Sequence, residues 1–213
     1  MESKTYEFGN EEIRVSYDVR RCIHAAACVR GLPDVFNPKR QPWVDVDAAP
    51  AEEIDEVISR CPTGALAVHY RDGRQPKGAG ENTVTVVRDG PLYLRGDIEV
   101  VDKDGNRLLR DSRVALCRCG ASKNKPLCDG RHAQSGFRDE GAVNIASIEA
   151  ECDTLLTVKV LPNGPLSLSG GFRVLDSKGK AVQRLKGAMC RCGHSENRPF
   201  CDGSHIGLGF EAE

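Results

Sequence analysis

The sequence predicts an α+β chain: a small N-terminal domain built around one amphipathic helix, a linker, and a β-rich tandem repeat. Three observations lead there. Residues 83–137 and 156–210 align with each other at a shift of 73 or 74 positions. Both copies alternate apolar and polar residues with the period of a β-strand. Residues 1–70 instead contain one stretch of helical periodicity, Pro50–Arg60.

That helix has Pro near its first position and Glu52 and Glu53 in its first turn, which suits the N-terminal end of the helix dipole. Ile54, Val57, Ile58 and Cys61 fall at i, i+3, i+4 and i+7, so the thiol shares the buried face, and Pro62 ends the helix. Strands are predicted at Glu12–Tyr17 and Ala65–Tyr70. RDGRQPKGAGEN, residues 71–82, has linker composition. The expected boundaries are residues 1–72 for the first domain, 73–82 for the linker, 83–140 for the first repeat and 150–213 for the second. Within the repeats, Leu92, Leu94, Ile98 and Val100 match Leu166, Leu168, Phe172 and Val174. DKDG (102–105) and DSKG (176–179) read as tight turns between antiparallel strands.

Composition narrows the chemistry. A net charge of −1 leaves no electrostatic footprint for nucleic acid, and no apolar run approaches the length needed to cross a bilayer. MESKTYEFGNEEIRVS carries no apolar stretch flanked by basic residues, so a cytoplasmic, reducing location is expected. Ten cysteines in 213 residues is therefore a metal signal before it is a disulfide signal. A bridge across a Cys-x-Cys gap would also be strained.

Residues 117–132, CRCGASKNKPLCDGRH, and 190–205, CRCGHSENRPFCDGSH, share the spacing C-x-C-x8-C-x3-H. The first presents Cys117, Cys119, Cys128 and His132, the second Cys190, Cys192, Cys201 and His205. A Cys3His set serves a structural zinc ion. The C-x-C pair is tight for one tetrahedral ion and suits two irons, with both thiolates on one and the Cys/His pair on the other. Spacing alone leaves both readings open. Gly120 and Gly193 are expected to bring backbone N–H groups toward cluster sulfides. Asp129 and Asp202 either hydrogen-bond behind the ligands or cap the following turn.

The second loop resembles the signature of the CDGSH (NEET) iron–sulfur family through Cys190, Cys192, Ser195, Pro199, Cys201, Asp202, Gly203, Ser204 and His205. The first matches through Cys117, Cys119, Ser122, Pro126, Cys128, Asp129, Gly130 and His132, and departs at Arg131, where a small residue is usual. The resemblance covers about residues 80–210. It implies a [2Fe–2S] cluster in each loop on three cysteines and one histidine, and a monomer in which the repeats form an intrachain pseudo-dimer.

Cys22, Cys28 and Cys61-Pro62 form a C-x5-C…CP set. With CVRGLPDVFN (28–37) and CPTGAL (61–66), this resembles the single-cluster bacterial-type ferredoxins, especially their divergent mono-cluster branch, and implies a ferredoxin-like domain over about residues 12–70. Ala25 stands where that pattern has a middle cysteine. A three-thiolate site holds [3Fe–4S]; alternatively His24 or solvent completes [4Fe–4S], or the site is empty and the thiols pack in the core. Cys152 has no partner at metal spacing, His194 has Ala121 as its counterpart, and His69 and Trp43 read as packing or solvent-facing residues.

The functional expectation is a multi-cluster electron-transfer protein working with redox partner proteins and coupled to protons through its histidine ligands. Storage or transfer of clusters to apo acceptor proteins is the second expectation, and a zinc-stabilised interaction module the third. No nucleophile–base pair or phosphate-binding loop is evident, so no enzymatic activity is expected.

Overall fold

A computed structural model describes residues 4–76 and 80–212. The chain divides into two compact units, residues 1–78 and 79–213. The expected linker 73–82 lies partly outside the described residues.

The first unit is a three-stranded antiparallel sheet of order β1-β2-β3, with β1 at Thr5–Gly9, β2 at Ile13–Asp18 and β3 at Leu66–Tyr70. Asn10 closes the β1–β2 turn, its Oδ1 accepting from the backbone of Glu12 and Ile13. Helix α1 is short, Ala27–Gly31, and α2 spans Ala51–Ser59. Ile54, Val57 and Ile58 of α2 pack on Ile13, Val15, Leu66 and Val68 of the sheet, together with Phe36 and Val44. Each fully buried side chain of this kind stabilises the fold by roughly 1.5–3 kcal/mol. Strand β1 escapes sequence reading because four of its five residues are exposed, which leaves no alternation to detect. Arg74 is anchored to this unit: it pairs with Glu52 at 2.9 Å, Glu12 at 3.2 Å and Asp72 at 2.7 Å. Its guanidinium lies over the Tyr70 ring.

The second unit contains six strands: β4 (Thr83–Val86), β5 (Leu92–Val101), β6 (Arg107–Leu116), β7 (Leu156–Val160), β8 (Leu166–Leu175) and β9 (Ala181–Met189). β5–β6 and β8–β9 are antiparallel hairpins. Asp102 Oδ1 accepts from the backbone of Asp104 and Asn106, and Asp176 Oδ1 from Lys178 and Lys180, so both tight turns carry the same side-chain closure. The pairing then crosses between the repeats. β4 is antiparallel to β5 and parallel to β8, while β7 is antiparallel to β8 and parallel to β5. The pairings β4–β5, β5–β7, β7–β8 and β8–β4 close into a ring. A bulge in β5 between Arg95 and Ile98, and one in β8 between Ser169 and Phe172, let each long strand leave one partner for the next. Gly96 and Gly170 occupy these bulges at φ +134° and +104°. Leu92, Leu94, Ile98, Val100, Leu166, Leu168, Phe172 and Val174 all enter one core.

Candidate metal centres

Each ligand-rich loop leaves the last strand of its repeat and folds back onto it. Cys117 N–H donates to the Pro126 carbonyl, and Cys128 N–H to that of Ala115. In the second loop Cys190 donates to Pro199 and Cys201 to Ala188. The motif serine sits inside the loop: Ser122 Oγ donates to the Leu127 carbonyl and accepts from Asn124 N–H, as Ser195 Oγ does with Phe200 and Asn197. The aspartates take the capping role. Asp129 accepts from the backbone of Lys123 and Arg131, and Asp202 from Glu196 and Ser204. These bonds hold Asp202 below the usual carboxylate range, the Ser204 hydroxyl contributing most.

The donors gather in pairs. The sulfurs of Cys117 and Cys119 are 3.8 Å apart, and those of Cys190 and Cys192 3.7 Å. The Cys128 sulfur is 3.4 Å from His132 Nδ1, and the Cys201 sulfur 3.4 Å from His205 Nδ1. Two thiolates on one tetrahedral metal with bonds of about 2.3 Å stand about 3.8 Å apart. Each loop thus has the right separation for two ligands on each of two metal atoms. Among the described residues no three His, Cys, Asp or Glu side chains are placed to hold a single ion.

Electrostatics treats the same donors unequally. The Cys117 and Cys119 thiols hydrogen-bond to each other, which pulls Cys119 down to about 6 and pushes Cys117 up. Burial raises Cys128 to about 11 and lowers His132, keeping the imidazole in the neutral form that can ligate. Gly130 and Gly203 N–H groups each lie 3.4 Å from the sulfur of the preceding Cys128 or Cys201.

Gly120 and Gly193 also serve the packing of the two loops. Both have positive φ, +77° and +87°. A Cβ on Gly120 would lie 2.5 Å from the Cys192 carbonyl oxygen, and one on Gly193 would lie 2.8 Å from that of Cys119. The glycines let the two loops meet back to back. Behind them lie two buried arginines that sequence reasoning missed, although the repeated Cys-Arg-Cys was their signal. Arg118 donates to the Gly90 and Val87 carbonyls and pairs with Asp139; Arg191 donates to the carbonyls of Gly164, Leu161 and Ala212. Arg198 of the second loop crosses to Asp139 at 2.7 Å while donating to the Gly193 carbonyl.

In the first unit, Cys22, Cys28 and Cys61 line one small apolar cavity together with Ala25. Cys28 lies in the first turn of α1, and Cys61 follows α2 with its N–H donating to the Ile58 carbonyl. His24 and Ala26 both have left-handed backbone, φ 56° and 58°, a strained approach to α1 of the kind found at functional sites. His24 is exposed and lines a neighbouring cleft instead of this cavity. Two polar neighbours were not foreseen. Tyr17 is hydrogen-bonded to Cys22, and burial together with that bond raises its hydroxyl. Thr63 Oγ1 lies 3.5 Å from the Cys61 sulfur. Trp43 packs edge-on against Tyr17. All ten cysteines are unbridged; Cys152 is buried, with its thiol donating to the Ala150 carbonyl.

These centres can be set beside known proteins. Residues 89–133 and 163–206 match the family described as iron-binding zinc finger, CDGSH type, and residues 8–71 match the divergent 4Fe-4S mono-cluster family. The chain carries a divergent 4Fe-4S mono-cluster domain followed by two CDGSH iron-binding motifs in tandem. The uncharacterized protein YjdI of Escherichia coli strain K12 is 36% identical over 64 residues, spanning 30% of this chain and 84% of its own length. YjdI of strain O157:H7 matches to the same extent. This CDGSH protein is therefore an iron–sulfur protein. Among its described residues no helix is long and apolar enough to cross a membrane.

Proposed function

We propose that the chain is a cytoplasmic electron-transfer protein, without enzymatic activity of its own, working with redox partner proteins. On this reading Cys117, Cys119, Cys128 and His132 hold one [2Fe–2S] cluster, and Cys190, Cys192, Cys201 and His205 hold a second. Cys22, Cys28 and Cys61 hold a three-thiolate [3Fe–4S] cluster, or a [4Fe–4S] cluster completed from solvent or by His24. Iron–sulfur clusters supply one-electron chemistry when bound. The repeats make the chain a monomer with internal pseudo-two-fold symmetry, behind a ferredoxin-like domain.

The observation that carries this reading is the pairing of donors in both loops, two sulfurs at 3.8 and 3.7 Å and a sulfur and imidazole at 3.4 Å in each. A neutral imidazole among thiolates makes the donor set less negative and raises the potential. His132 and His205 turn Nδ1 toward the cysteine sulfur, which leaves Nε2 to exchange a proton as the electron count changes. An anaerobic redox titration followed by EPR tests this. Reversible reduction of both histidine-ligated centres, at potentials that fall as pH rises, is the expected result. Absence of reversible reduction in the physiological range overturns it.

Transfer of [2Fe–2S] units to apo acceptors is the second reading, favoured by the half-buried position of both histidines and by the easier release of imidazole than thiolate. Incubation with an apo-ferredoxin at mildly acidic pH decides it, through gain of visible absorbance by the acceptor.

A further inference from the structure

A second cavity lies beside the N-terminal thiols, with a volume of ≈ 620 Å³, within the range of small-molecule sites. Its walls are aromatic. Trp43 stands edge-on to Tyr17 at 4.9 Å and 69°, and to Phe8 at 6.1 Å and 84°, and Tyr6 extends the same surface. Rings set at right angles offer a flat face and an edge to an inserted planar ring. Cys22 and Cys28 are part of the wall, so the cleft and the smaller thiol cavity share two sulfurs.

The polar groups narrow the ligand further. No Asp, Glu, Lys or Arg is among the described residues lining the cleft, and Lys4 stands outside that lining, over the Tyr6 ring at 5.1 Å. A phosphate-bearing nucleotide or flavin phosphate would find no cation among these lining residues, and a carboxylate none either. What the lining does offer is Tyr6, His24 and Gln41. A phenol and a carboxamide can each both donate and accept. Such groups suit a ligand whose oxygens accept in one oxidation state and donate in the other, as a conjugated dione and its diol do.

We infer that this cleft binds a neutral, planar quinone-type molecule, seated on Trp43 and Tyr17 with its oxygens toward Gln41 and Tyr6. The site rests on the proposed cluster only for its purpose; its shape and polarity belong to the polypeptide.

The test is equilibrium dialysis of the full, cluster-loaded, oxidised chain against duroquinone, whose fully substituted ring cannot alkylate thiols. Fluorescence of Trp43, the single tryptophan, gives a second readout. Saturable binding of one duroquinone per chain is expected. Durene, the same ring without carbonyls, should bind about tenfold more weakly, and Gln41→Leu and Tyr6→Phe should each cost roughly threefold to tenfold, one hydrogen bond apiece. FMN should not be retained. Non-saturable uptake, equal binding of durene, indifference to both substitutions, or retention of FMN in place of the quinone each overturns the inference. Iron content and EPR are measured on the same samples. Intact clusters without binding sink the cleft alone, and binding without reducible clusters sinks electron transfer alone.

Discussion

Asp139 ties the first repeat to the second loop, and its replacement by Asn gives the most demanding test of the physical reasoning. The Asp139 carboxylate takes Arg118 on one oxygen and Arg198 at 2.7 Å on the other, and accepts from Gly141 N–H at 2.8 Å. The Arg118 side chain is 0% exposed and that of Asp139 10%. Asp139→Asn keeps the shape and removes the charge. Breaking a buried pair from one side costs about 3–5 kcal/mol, and the carbonyls of Gly90 and Val87 still hold Arg118, so the low end applies, about 3 kcal/mol. For a unit of this size that lowers Tm by about 12 °C. Burial alone would raise the Asp139 carboxyl, but Arg118 and Arg198 outweigh it and hold it below the ordinary value of 3.8. A depressed folded pKa contributes stability that is complete above the unfolded value and is lost as pH falls through the folded one. The Tm gap between wild type and variant should therefore be full at neutral pH and close below about pH 3.8. Differential scanning calorimetry measures it. A neutral-pH gap under about 3 °C, less than 1 kcal/mol, refutes the account.

Gly193→Ala places a Cβ 2.8 Å from the Cys119 carbonyl at φ +87°, so both loops should loosen, at roughly 2 kcal/mol, with faster loss of visible absorbance from both centres. His205→Cys should lower the potential of the second centre by roughly 100 mV or more and remove its pH dependence, leaving the first centre unchanged in the same redox titration. Tyr17→Phe removes the hydrogen bond to Cys22 and should lower the potential of the N-terminal centre, read by EPR-monitored titration, without loss of its iron.

Much of this was legible in the sequence, for identifiable reasons. Leu92, Leu94, Ile98 and Val100 sit at period two because one face of β5 meets the core, so local alternation reports burial directly. The clustering of thiols and imidazole in each loop was legible because those donors fall within one short stretch of sequence, residues 117–132 and 190–205. Pairing between repeats was not. Periodicity says that β4 is a strand, but nothing local says that it pairs with β8 as well as β5. Arg118 and Arg191 were read past because arginine is ordinarily at the surface, and their burial depends on backbone carbonyls contributed from far along the chain. Gly120 and Gly193 were recognised as special, but their approach to the other repeat was not legible, since the backbone each meets lies more than seventy residues away.

The ring of strands has a consequence for how such a chain can come apart. β4 is zipped to both repeats, and so is β7. Severing the polypeptide near residue 150 would leave two fragments, each wanting the strand its counterpart supplies. Damage to one loop is then felt across the seam, and the duplicated half comes apart as one cooperative body.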